Sequence, residues 1–117
     1  MPNHHRGEID AEIGGARRRL VLTLGALAEL ESAFGAGDLV ALAERLGSGR
    51  LSARDLMRII GCGLRGAGEA ISDAEVAAMT AAGGAPGYVA IAADLIAATF
   101  GGGESQNPPL PQARAPA

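Results

Sequence analysis

The feature that constrains this sequence most is an alternating stretch at residues 7–23 that is interrupted by two consecutive glycines. Acidic residues at positions 8, 10 and 12 alternate with apolar residues at 9, 11 and 13, and a second alternating run follows Gly14-Gly15. Alternation with a period of two is typical of a strand, and a Gly-Gly pair is typical of a two-residue turn. The pattern predicts a β-hairpin with one charged face and one apolar face.

Placing the two glycines in the turn fixes which residues of the two strands lie opposite each other. The expected cross-strand pairs are Glu12–Arg17, Asp10–Arg19 and Ile9–Leu20. We expect the opposite charges to pair on the outer face, where each ion pair contributes only about 0.2 to 1 kcal/mol. An isolated two-stranded hairpin is marginally stable, so its apolar face needs a helical cover.

The next two segments have the apolar spacing of short amphipathic helices. From residue 24 to residue 34 apolar residues recur at intervals of three and four, and Gly35 follows as a helix-ending residue. Asp38 can cap a second helix that runs to residue 46. The expected buried stripes are Leu24, Leu27, Leu30 and Phe34 in the first helix and Leu39, Leu42, Ala43 and Leu46 in the second.

Two later helix starts carry a capping-box signature, in which a serine precedes an acidic residue by three positions. These pairs are Ser52 with Asp55 and Ser72 with Glu75. The helix after Ser52 contains glycines at positions 61, 63 and 66, and each interior glycine costs about 0.5 to 1 kcal/mol relative to alanine. This segment is therefore expected either to pack closely against another backbone or to fray at its end. The helix after Ser72 is expected to break at residues 83–84.

A last helix is predicted after residue 84, because Pro86 suits a first helical turn and a broad apolar face extends to Phe100. Residues 102–117 are rich in Gly and Pro and are expected to be disordered, and residues 1–6 are expected to be a flexible N-terminus. The predicted fold class is α+β, mostly α. It has an N-terminal hairpin and about five short helices in a single domain at residues 7–101.

Charge and composition exclude several classes of function. The formal net charge of −3 argues against nucleic-acid binding, which normally requires a basic surface. No stretch approaches the roughly 20 apolar residues of a membrane span, so no membrane association is expected. Cys62 is the only cysteine, which excludes an intramolecular disulfide and is typical of a reducing cytoplasm. The sequence thus predicts a soluble, cytoplasmic protein.

No residue pattern predicts catalysis, a metal site or a cofactor. His4 and His5 lack further metal ligands at suitable spacing, and Cys62 has no histidine downstream to activate it. The glycines of residues 61–66 follow an apolar helix and lack the Lys-Ser/Thr ending of a phosphate-binding loop. The basic run at residues 17–19 is expected to be neutralised largely by the facing acidic residues. The chain is therefore predicted to act by binding another protein, and not as an enzyme.

The order of these motifs resembles a family of small proteins encoded in gene transfer agents and related tailed prophages. The residues that carry the resemblance are the hairpin, Leu22–Glu31, Leu51–Leu56 and Ile71–Val76. The resemblance implies a role in tail morphogenesis, as a tail assembly chaperone that binds the tape-measure protein and also contacts the tail-tube protein. The alternative that it implies is a structural tail-tube or connector component retained in the particle. Self-association into a homo-oligomer is compatible with both.

The surface expected to bind a partner lies on the second helix, at Leu39, Val40 and Leu42. These are more apolar side chains than one short stripe can easily bury. Val40 lies off the stripe and is expected to be partly exposed. The outer hairpin face and residues 102–117 are not expected to contact the partner, because the first is charged and self-paired and the second has little apolar content.

Overall fold

The computed structural model describes residues 7–81 and 83–101, in which a two-stranded hairpin precedes five helices. The strands are β1 (Glu8–Ile13) and β2 (Ala16–Val21), and the helices are α1 (Leu24–Phe34), α2 (Leu39–Gly47), α3 (Ala53–Gly66), α4 (Asp73–Ala77) and α5 (Gly84–Phe100). The α+β, mostly α prediction is confirmed. The expectations for residues 1–6 and 102–117 lie outside the described residues.

The hairpin has the predicted turn and the predicted register. Gly14 and Gly15 have φ values of 65° and 79°, and a two-residue type I′ turn requires a positive φ at both positions. The observed cross-strand partners include Glu12–Arg17, Asp10–Arg19 and Ile9–Leu20. The inner face of the hairpin is buried at Ile9, Ala11, Ile13 and Leu20.

The expectation that the outer hairpin face pairs its own charges is wrong. Among the described residues, neither Asp10–Arg19 nor Glu12–Arg17 forms an ion pair. An exposed ion pair gains little over separate hydration, so the register does not force the contact. The paired arginine is Arg18, which lies on the inner side of β2 and forms an ion pair with Glu69.

Side-chain caps set the helix starts as the sequence predicts. In the first capping box the Ser52 hydroxyl accepts from the Asp55 N–H at 3.1 Å, and the Asp55 carboxylate accepts from the Ser52 N–H at 3.0 Å. Ser72 and Glu75 make the same reciprocal pair at 3.1 Å and 2.9 Å. Asp38 caps α2 by accepting from a backbone N–H at 2.8 Å.

The predicted end of the fourth helix is wrong, because α4 ends at Ala77 and not at residues 83–84. The following residues return to the hairpin instead. The Gly14 N–H donates to the Thr80 carbonyl at 2.7 Å, and Ala81 forms an antiparallel bridge with Ile13. Backbone hydrogen bonds to the hairpin thus replace those that a longer helix would make.

The predicted buried stripes of α1 and α2 are wrong at their first residues. Leu24 is 77% exposed and Leu39 is 41% exposed, whereas Leu27 and Leu42 are buried as expected. Helical side chains tilt toward the N-terminus of their helix, so the side chain of a first residue projects beyond the helix end. Spacing alone therefore places Leu24 and Leu39 on the correct side of the helix but not in the core.

The glycines of α3 allow close packing, which decides between the two alternatives that the sequence leaves open. A Cβ at Gly63 would lie 2.7 Å from Cδ2 of Leu95 in α5, and a Cβ at Gly66 would overlap the carbonyl oxygen of Val21 in β2. The helix continues regularly to Gly66, so its end is not frayed. Helix α3 thereby packs directly against both the hairpin and α5.

Replacing Gly66 with alanine is expected to lower the free energy of unfolding by about 1 kcal/mol or more. Overpacking typically costs about 1 to 3 kcal/mol, and the direct overlap with a backbone oxygen places Gly66→Ala in the upper part of this range, so the cost outweighs a helix-propensity gain of about 1 kcal/mol. Gly47→Ala is the matched control, because no atom lies within 4 Å of a Cβ added at that end of α2. Urea unfolding measures both variants, and a Gly66→Ala protein as stable as the wild type would contradict the close approach.

Candidate functional site

Helix α2 carries the residues predicted to bind a partner protein, and the structure divides them between core and surface. Leu42 is buried, so its side chain does not contribute to an exposed contact surface. Leu39 and Val40 are 41% and 69% exposed, and we call these two residues the α2 patch. The exposure of Val40 agrees with its position off the stripe, and its role in binding stays a prediction.

Helix α2 is held in place through Arg45 near its C-terminal end. The Arg45 guanidinium donates to the Arg50 carbonyl at 3.0 Å and to the Asp55 carboxylate at 3.2 Å, and it lies 5.1 Å from the centre of the Phe34 ring. Burial opposes ionisation of Asp55, but hydrogen bonds from the Ser52 backbone and from Arg45 outweigh it and lower the pKa of the carboxyl. These contacts fix the position in which α2 presents its patch.

An apolar pocket of about 200 Å³, which the sequence did not predict, lies between α3, α4 and α5. The hydroxyl of Tyr88 is buried there, no described residue gives it a hydrogen bond, and burial raises the pKa of Tyr88. The residues that line the pocket are Ala53, Leu56, Met57, Ile60, Val76, Ala77, Met79, Ala85 and Tyr88. With this one phenol as its titratable group, the pocket has no acid–base pair for catalysis.

Arg65 joins three helices from the middle of the fold. Its guanidinium donates to Glu29 of α1 at 2.8 Å, to Asp73 of α4 at 2.9 Å and to the Ile71 carbonyl at 3.0 Å. Burial opposes the charge, but the hydrogen bond to Asp73 and the charges of both carboxylates outweigh it and raise the pKa of Arg65. This cluster is an anchor between helices, because each charge already has a partner within it.

Cys62 lies beside this cluster, with its sulfur 3.5 Å from a guanidinium nitrogen of Arg65. Burial, followed by the negative charge of Glu29, raises the pKa of the Cys62 thiol to about 12. A thiol with this pKa stays protonated near neutral pH and is a poor nucleophile. The geometry therefore agrees with a structural role for Cys62.

Residues 7–81 and 83–101 bear on metal binding and on membrane crossing as well. In this part of the chain no three His, Cys, Asp or Glu side chains come together as metal ligands would. His4 and His5 lie outside the described residues. None of the described helices is both long enough and apolar enough to cross a bilayer.

A family model described as phage tail tube protein, GTA-gp10, matches residues 6–102. The chain belongs to this family. No curated protein and no solved structure matches the chain. The resemblance to proteins of gene transfer agents and phage tails is thereby confirmed at the level of the family.

The family description bears differently on the two functions predicted from the resemblance. It names a tail tube protein, which agrees with the structural alternative better than with the assembly chaperone. It gives no support to the tape-measure protein as the partner, and it assigns no function to individual residues.

Cys62 in the native protein is expected to resist alkylation by iodoacetamide at about pH 8, where an ordinary thiol with a pKa of about 8.5 reacts readily. Burial and the raised pKa both protect it. Protein unfolded in urea is the control and should be labelled fully, as measured by intact mass. Rapid labelling of the native protein would contradict the buried position of this thiol.

Val40→Asp is expected to weaken binding to a tail-protein partner by about 1 kcal/mol or more while leaving the melting temperature nearly unchanged, because the side chain lies at the surface. Leu24→Asp is the matched control, since Leu24 is 77% exposed but lies at the start of α1. Pull-down with co-expressed tail proteins and thermal melting measure the two effects. Unchanged binding by Val40→Asp, or lost binding after deletion of residues 102–117, would place the contact elsewhere.

Proposed function

We propose that this protein is a structural subunit of the tail tube of a phage-like particle and is retained in the finished particle. The observation that carries the proposal is the family match, which covers residues 6–102 and bears a tail-tube description. The matched range includes the hairpin and all five described helices, so the proposal concerns the folded part of the chain.

The arrangement of the surfaces supports such a role. A tube subunit needs separate contact surfaces for its neighbours, because a heterologous contact uses different patches on the two copies. The α2 patch is apolar, whereas the outer hairpin face carries acidic and basic side chains, of which Asp10, Glu12, Arg17 and Arg19 form no ion pair with a described residue. Two surfaces of different chemistry are thus available on separate elements of one small protein.

A second candidate function is the tail assembly chaperone predicted from the resemblance, and a specific observation favours it. The described residues contain a sheet of only two strands, whereas tube walls generally need larger sheets. An exposed apolar patch on a short helix also suits temporary contact with an apolar helical protein such as a tape measure. In this case the protein acts in the cytoplasm and leaves before the particle is complete.

Quantitative mass spectrometry of purified particles distinguishes the two functions. We expect the chain to be recovered in a fixed ratio to the other tail proteins, as a retained subunit must be. Its absence from particles, while lysates of the producing cells contain it, would contradict the tail-tube proposal. Co-expression with the tape-measure protein then tests the chaperone, which fails if the tape measure is equally soluble without this chain.

A further inference from the structure

The two-residue turn determines which backbone groups of the hairpin face outward. In such a hairpin the residues that flank the turn, Ile13 and Ala16, form a hydrogen-bonded pair, and bonded pairs alternate along the ladder from there. The backbone groups of Asp10 in β1 and of Arg17 and Arg19 in β2 therefore point away from the hairpin. Among the described residues, no backbone hydrogen bond uses these outward groups. Both edges of the sheet are open at these positions.

The two edges are bounded differently by the rest of the fold. At its turn end the edge of β1 is covered, because the Gly14 N–H donates to the Thr80 carbonyl and Ala81 bridges Ile13, and the edge is open at Asp10. Beside β1 lies an open groove of about 710 Å³, and the residues that α5 contributes are mostly small, including Gly87, Ala90, Ala93 and Ala97. Because these side chains are short, α5 leaves space at the edge of β1 for another strand, which would lie about 4.8 Å away. The edge of β2 is covered at Val21, whose carbonyl faces α3, and is open from there toward the turn.

The charges on the two edges are opposite in sign. Asp10 and Glu12 of β1 and Asp94 of α5 line the groove, and none of them forms an ion pair with a described residue. Arg17 and Arg19 of β2 are exposed and likewise have no ion pair in this part of the chain. Each edge of the hairpin thus offers the charge that complements the other edge.

We infer that β1 of one copy of this chain pairs in antiparallel fashion with β2 of a second copy, so that hairpins join edge to edge into a continuous sheet. In this pairing the outward backbone groups of Asp10 bond those of Arg17 or Arg19 of the second copy. Their side chains lie on the same outer face, where opposite charges stabilise the pair. An unprotected strand edge is a ready template for such addition.

The contact is heterologous, because it uses β1 of one copy and β2 of the next. Such a contact repeats from copy to copy and gives a ring if the rotation closes. The biological setting of this contact rests on the proposed function. If the protein is a tube subunit, pairing of hairpins from successive copies explains how two strands can contribute to the larger sheet of a tube wall. Self-association is tested on the purified full chain, whereas the tail-tube proposal is tested by the content of purified particles. Either result can therefore be negative while the other is positive.

Sedimentation velocity over a range of concentrations tests the inference with two charge-reversed variants. One carries Asp10→Arg and Glu12→Arg, and the other carries Arg17→Glu and Arg19→Glu. We expect the wild type to self-associate, and each variant alone to have a dissociation constant raised on the order of tenfold, because like charges then face each other. An equal mixture of the two variants should restore association, since each then finds its complement. Added salt should weaken association of the wild type.

A backbone variant keeps the inference testable if charge reversal unfolds the hairpin. Asp10→Pro removes the outward N–H, which the hairpin itself does not use, and Asp10→Asn keeps that N–H while removing the charge. We expect the proline variant to lose association with its melting temperature nearly unchanged, and the asparagine variant to lose less. A wild type that stays monomeric, association that survives Asp10→Pro, or a mixture that restores nothing would overturn the inference. Loss of association on deleting residues 102–117 would also overturn it, because that segment would then be the occupant of the groove.

Discussion

The close approach of α3 to the hairpin and to α5 is the constraint on which the rest of the structure depends. Gly63 and Gly66 let the helix backbone lie where any side chain would collide with a neighbouring element. Arg65, on the same helix, then ties α1 and α4 to α3 through ion pairs. Because α3 and α5 pack against the hairpin and its inner face is buried, its charged outer face is directed away from the core.

Local chemistry made much of the fold predictable from the sequence. The Gly14-Gly15 turn specifies the register of the strands, and the serines at positions 52 and 72 specify two helix starts through reciprocal hydrogen bonds. These signals act within a few residues of their own position. The end of α4 was not predictable in this way, because Thr80 and Ala81 pair with a hairpin that lies far away in the sequence.

The candidate site was less predictable than the fold, since it depends on which side chains the tertiary packing leaves exposed. Periodicity grouped Leu39 with Leu42, but only Leu42 is buried, and Val40 is the most exposed of the three. Register likewise aligned opposite charges on the hairpin without bringing them into contact. The two wrong expectations, on Leu39 and on the hairpin ion pairs, have one origin. Sequence periodicity predicts which face of an element a side chain lies on, but not which groups surround that side chain. The surfaces left open in this way are apolar on α2 and charged on the hairpin.

The central claim is that α3 holds the hairpin in place while the two edges of the hairpin pair with other copies. Amide hydrogen exchange in the dilute protein and in its assembled state tests this claim most directly. The account predicts slow exchange along α3 in both states. The outward amides of Asp10, Arg17 and Arg19 should exchange rapidly in the dilute protein and slowly once copies assemble, because those groups then form strand pairs. Equally rapid exchange of these three amides in the assembled state would contradict the account.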